Sequence, residues 1–206
     1  MAGGFRVREQ KFICGKDYAT AETMQVDFFE ITEQQHKAST RKKKELASSI
    51  AKEAYNLRQS GRYLELLIQR NFRRTDYSVT YTYDNDRLPA PGDMERVDKD
   101  FSAAMKKLYR MCDKAGIEHP GWIDVAEYMT YVDGRWIGRH HHHIVMQHTK
   151  GLTREMIEKA WGDRGMARCE PLHFDHGYVV GLSKYIMKNV RCKRHWRQSR
   201  GGEKPQ

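Results

Sequence analysis

Four consecutive histidines, His140 to His143, run directly into Ile144-Val145-Met146 in the interior of the chain. The apolar flanks, which include Trp136-Ile137, are those of a buried strand rather than of an appended tag. Trp122 to Val132 is a second strand-like run, and Asp133-Gly134-Arg135 between the two is the best hairpin signal in the sequence. On a strand, successive side chains point to opposite faces, so His141 and His143 share one face and His140 and His142 the other. Two imidazoles on one face can hold one cation together. Four in a row exceed what hydrogen-bond satisfaction in a core requires.

The partner strand decides whether a carboxylate joins them. With the turn centred on Arg135, paired positions have numbers summing to 270, which sets Glu127 opposite His143 and Met129 opposite His141. Any register with an even sum keeps Glu127 on the face of His141 and His143. A slip by one residue moves it to the face of His140 and His142, so at this point either pair stands open. Two imidazoles and a carboxylate with open coordination positions suit a divalent ion that polarises a phosphoryl or carbonyl oxygen. Magnesium or manganese fits a phosphate substrate, although the histidines alone favour zinc or nickel.

Around this centre the pattern predicts one α+β domain over residues 1–206. Residues 1–16 show no periodicity and read as an arm, and Gln25 to Thr32 reads as a strand. Apolar residues at helical spacing predict a helix or helical hairpin from Ser39 to Arg70, with a break at Ser60-Gly61. Asp76 to Asp84 alternates as a half-buried strand, and Met94 to Ala115 is an amphipathic helix that Gly116 and Pro120 terminate. Thr153 caps a short helix to Trp161, Met166 to Leu172 is a further strand, and Tyr178 to Arg191 reads as a helix. The order predicts a central antiparallel sheet bearing the histidines, with helices on one side.

Lys and Arg total 37 against 27 Asp and Glu, a formal charge of +10 that favours a polyanionic partner, nucleic acid first. Lys37 and Arg41-Lys42-Lys43-Lys44 form one basic run. A second, from Lys184 to Lys204, holds eight basic residues against Glu203 alone, and residues 192–206 read as a flexible tail. No apolar run can cross a bilayer or serve as a leader, and the four cysteines contain no C-x-x-C pair, so a soluble, intracellular protein with reduced thiols is expected. On the expected last helix, Tyr185 and Lys188 lie one turn apart on one face. A tyrosine with a pKa near 10 needs a metal, base or cation to act as a nucleophile, and Lys188 supplies a cation.

Together these motifs resemble those of the HUH endonucleases. Gly138-Arg139 leading into the histidines and Ile144-Val145-Met146 is similar to their histidine-hydrophobe-histidine motif, Tyr185-Ile186-Met187-Lys188 to their one-tyrosine motif, and Val79 to Asp84 to the first motif strand of their replication initiators. More narrowly, Asn71-Phe72, Leu88-Pro89, Glu158 to Gly162, Trp196, Ser199-Arg200 and Pro205 resemble rolling-circle initiators of small phages and mobile elements of Gram-positive bacteria. The middle of the histidine motif, hydrophobic in the family, is His142 here, and the apolar run that follows favours His141 and His143 as the ligand pair. A second tyrosine is lacking one turn before Tyr185, where Gly181 stands, and Tyr178 reads as packing.

The resemblance implies a sheet of the RRM or ferredoxin-like kind and a single-stranded-DNA nickase and strand transferase that starts rolling-circle replication. His141, His143 and Glu127 would hold Mg²⁺ or Mn²⁺. Tyr185 would form a 5′-phosphotyrosine link, with Lys188 neutralising charge. Lys184, Arg191, Lys193, Arg194, Trp196, Arg197, Arg139, Lys42 and Lys43 would contact DNA. The implied partners are an origin strand, in hairpin form, with a host helicase and DNA polymerase acting in trans in the bacterial cytoplasm.

Overall fold

The computed structural model of the chain describes residues 4–13, 22–31, 50–175, 178–179 and 196–204. Among these, five strands form one antiparallel sheet in the spatial order β11-β4-β7-β3-β8. They are β3 (Tyr77–Thr82), β4 (Trp122–Glu127), β7 (His141–Met146), β8 (Ala167–Pro171) and β11 (Arg197–Gln198). The histidine strand β7 is thus central, hydrogen-bonded to β3 on one side and β4 on the other.

Helices cover both faces of this sheet rather than one. Helix α2 (Met94–Ala115) turns Val97, Phe101, Ala104, Met105, Leu108 and Cys112 inward at helical spacing, and α3 (Arg154–Trp161) adds Ile157, Ala160 and Trp161. They pack on the face that carries Tyr77, Val79, Tyr81, Ile144 and Met146. Trp161 is fully buried, stacks on Tyr81 at 4.8 Å and donates its indole N–H to the Thr82 carbonyl at 3.1 Å. Helix α1 (Ile50–Asn71) covers the opposite face, where Leu57, Leu64, Leu67 and Ile68 meet Ile123, Val125 and Val145. The expected break at Ser60-Gly61 does not occur. A glycine inside a helix costs about 1 kcal/mol, and keeping the leucines on either side in phase against the sheet outweighs that.

The ends of α2 follow the local code. Asp93 accepts the Arg96 N–H, and Gly116 closes the helix in the left-handed region at φ 65°. Thr153 caps α3 in the same way through the Met156 N–H.

Three further expectations need correction. The reading of residues 1–16 as an arm overlooked β1 (Gly4–Ile13), which pairs antiparallel along its length with β2 (Glu22–Ile31). Strand formation depends on a partner more than on the strand's own pattern. The helix expected from Tyr178 does not start there, because Tyr178–Val179 is a short strand, β10, against β9 (Phe174–Asp175). The tail is not free over residues 196–204. Ser199 Oγ accepts the Trp122 N–H at 2.9 Å, the Asn71 side chain makes two 2.7 Å hydrogen bonds with the Glu203 backbone, and Arg70 pairs with the Glu203 carboxylate. The remainder of the expected helix, and the basic run at 41–44, lie outside the described residues.

Candidate metal centre

The hairpin that builds the centre has two registers. At its tip, β5 (Thr130–Val132) and β6 (Arg135–Ile137) pair Val132 with Arg135. Asp133 and Gly134 turn the chain at φ 49° and 81°, the left-handed pair that a two-residue turn demands. Below the tip, β4 and β7 pair Glu127 with His141 and Val125 with His143. The turn is therefore centred ahead of Arg135, and Glu127 faces His141 rather than His143. The expected register was wrong by two residues, and its parity was right.

Parity survives because of one extra residue. Continued down the hairpin, the tip register would set Glu127 opposite His140, on the wrong face. Between the two registers the chain has 128–129 on one side and 138–140 on the other, a bulge that shifts the pairing by one. Gly138, at φ 82°, supplies the left-handed residue there. His140 closes the bulge: it is fully buried, and its Nδ1 accepts the Met129 backbone N–H at 3.2 Å. Arg139 ties the bulge to the end of β3, donating to Asn85 Oδ1 at 2.8 Å and to the Tyr83 carbonyl.

With that register, Glu127, His141 and His143 converge on the α1 face of the sheet. One ligand atom from each lies within 4.8 Å of the others, and His143 Nε2 is 3.3 Å from Glu127 Oε2. Adjacent ligands of a shared cation stand about 3.0–3.5 Å apart when bonds are about 2.0–2.2 Å. The Glu127–His143 pair already meets that spacing, and a His141 ring nitrogen lies within 4.8 Å of both. Burial pushes the His141 pKa below its ordinary value, against the pull of the Glu127 carboxylate, and so favours the neutral, metal-binding imidazole. The residues present fit a divalent cation.

The opposite face explains the remaining histidine. His142 is fully buried, with Nδ1 at 3.2 Å from both oxygens of the fully buried Asp124. Arg197 donates through Nε to Asp124 at 2.8 Å and reaches Asp98 at 3.1 Å, and Asp98 accepts the Tyr128 hydroxyl at 2.9 Å. The Arg197 guanidinium also lies 4.2 Å over the Phe101 ring. This chain of charges grips His142, between His141 and His143, and Tyr128, next to Glu127.

Three of the residues expected to contact DNA make contacts within the chain. Arg197 is held inside by Asp124 and Asp98, Arg139 by the bulge, and Trp196 packs on the α1 core with Tyr63 at 6.1 Å. Tyr185, Lys188, Lys184, Arg191, Lys193, Arg194, Lys42 and Lys43 lie outside the described residues. The sequence reading overlooked Thr80, Thr82 and Arg168. Thr80 pairs with His143 and Thr82 with His141, and on the next strand Arg168 pairs with Thr80, so all three share the face of the centre. The alternation of Thr with Tyr in Tyr77–Thr82 was the available signal. Compared with known proteins, the chain matches no family model, no curated protein and no solved structure.

Proposed function

We propose that the chain is a divalent-metal-dependent endonuclease and strand transferase of single-stranded DNA, of the kind that initiates rolling-circle replication in a bacterial host. The observation that carries this reading is the convergence of Glu127, His141 and His143 on one face of a central antiparallel strand. The family resemblance of the motifs and the charge of +10 support the choice of DNA as substrate. Among the described residues, no helix is long and apolar enough to cross a membrane, in keeping with a cytoplasmic role.

Glu127, His141 and His143 would hold Mg²⁺ or Mn²⁺, which supplies Lewis-acid polarisation of a phosphoryl oxygen when bound. The Tyr185 hydroxyl, named by the resemblance, attacks the scissile phosphorus. An O–P bond to tyrosine forms, the P–O3′ bond breaks, and a proton passes to the departing 3′ oxygen. A free 3′-hydroxyl is left to prime synthesis, with the 5′ phosphate on the enzyme. Lys188 neutralises charge at the phosphate. Attack by a later 3′-hydroxyl reverses the step and rejoins a strand.

The test is to incubate labelled single-stranded oligonucleotides, tiled across the intergenic DNA beside the gene, with the protein and Mn²⁺, and to look for a covalent adduct on a denaturing gel. The expected adduct disappears with EDTA and in Tyr185→Phe. An adduct that persists in Tyr185→Phe removes the assigned nucleophile. No adduct under any divalent ion favours a non-catalytic nucleic-acid-binding domain, and cleavage confined to transposon ends or a transfer origin favours a transposase or relaxase.

A further inference from the structure

The β5–β6 ribbon continues β4 and β7 beyond the metal centre, and it keeps large apolar groups in water. Tyr131, Val132, Trp136 and Ile137 are 40–47% exposed. Tyr131 lies directly across from Trp136, and their rings meet edge to face at 5.3 Å. The tight turn at Asp133-Gly134 fixes the ribbon's twist, and Trp136 rests its ring edge against Gly92, where a Cβ would come within 3.3 Å of it. One edge of the indole is thus supported while much of its surface stays open. Arg135, at the tip, is exposed as well.

A two-stranded ribbon alone is marginally stable, and apolar groups left exposed on one usually serve contact. Cross-strand pairing puts Tyr131 and Trp136 on one face of the ribbon and Val132 and Ile137 on the other; at this exposure the two rings offer on the order of 200–250 Å², well short of the roughly 800 Å² per partner of a standard protein interface. That area suits one or two stacked bases. Tyr131 lies four residues from Glu127, no more than about 13 Å along an extended strand, a reach of a few nucleotides. Aromatic rings serve every base because every base has a π face.

We propose that the β5–β6 ribbon is a stacking platform for bases of the single strand whose phosphate enters the metal centre, with Trp136 and Tyr131 as its contact residues. The proposal rests on reading the centre as a DNA-cleaving site. It assigns to the ribbon an affinity for bases that does not depend on phosphate contacts.

The test is fluorescence anisotropy of a labelled oligothymidylate in EDTA, where no cleavage occurs, for wild type, Tyr131→Ala, Trp136→Ala and Trp136→Phe, with circular dichroism to verify folding. Trp136→Ala is expected to weaken binding about 5- to 100-fold, the range of one lost stack, while Trp136→Phe retains most affinity. The slope of affinity against salt should stay unchanged, because no phosphate contact is removed. Wild-type affinity in both alanine variants overturns the proposal, as does a wild-type dimer in sedimentation that Trp136→Ala converts to monomer. If the wild type makes a covalent adduct while the alanine variants bind normally, the platform fails and the nicking reading stands. If binding depends on Trp136 but no adduct ever forms, the nicking reading fails and the platform stands.

Discussion

The two faces of strand β7 carry the same side chain at alternate positions and use it in opposite ways. On the α1 face, His141 and His143 meet Glu127 at a spacing a cation can share. On the α2 face, His140 accepts a backbone N–H inside a bulge and His142 sits against Asp124, whose charge Arg197 balances. Residue type does not distinguish ligand from strut here. Each carboxylate's neighbours do: a carboxylate paired with a guanidinium completes a buried network, whereas one beside two imidazoles leaves a position for a metal ion.

The strongest way to break this comparison is Arg197→Met. Asp124 is fully buried, and removing one partner of a buried ion pair costs about 3–5 kcal/mol. The urea midpoint should fall accordingly, and a loss under about 1 kcal/mol would mean that Arg197 is not the counter-charge. Next comes the exchange of roles. His143→Ala should weaken Mn²⁺ binding by more than the 10–100-fold that loss of a mere second-sphere partner costs, and should change folding stability by less than about 1 kcal/mol. His142→Leu should do the reverse, costing about 1–3 kcal/mol of stability with metal affinity nearly retained. Titration by electron paramagnetic resonance and urea melts read both quantities, and equal metal loss in the two variants would erase the distinction between faces. The smallest effect belongs to Gly138→Ala. A Cβ there meets nothing within 4 Å, so only the left-handed backbone resists it, at about 1–2 kcal/mol. A change under 0.5 kcal/mol in thermal melts would show that the bulge tolerates an ordinary residue.

Where local chemistry is decisive, the sequence reading and the structure agree. Helix α2 begins and ends where Met94, Ala115 and Gly116 indicate, Thr153 caps α3, and the strands at Tyr77–Thr82 and His141–Met146 follow their alternation. Parity left either histidine pair open beside Glu127, the resemblance favoured His141 and His143, and these three share a face despite the wrong register because the bulge makes up the odd residue. What could not be read depends on partners distant in sequence. Arg197 looks like one more cation in a basic tail until Asp124, 73 positions earlier, is brought beside it. The strand at Gly4–Ile13 needs Glu22–Ile31 to exist, and helices on both faces follow from α1 crossing to the side that α2 leaves open.

Arg197 also sets a timetable. Asp98, Asp124, Tyr128 and His142 are all synthesised before it, and at about 5–20 residues per second the interval between His142 and Arg197 lasts several seconds. During that interval the Asp124 carboxylate lacks the guanidinium that makes its burial tolerable, so the α2 side of the sheet cannot close in its final form. A translation product stopped before residue 197 would contain Glu127, His141 and His143 on one face of the sheet and, on the other, a buried Asp124 without its guanidinium partner.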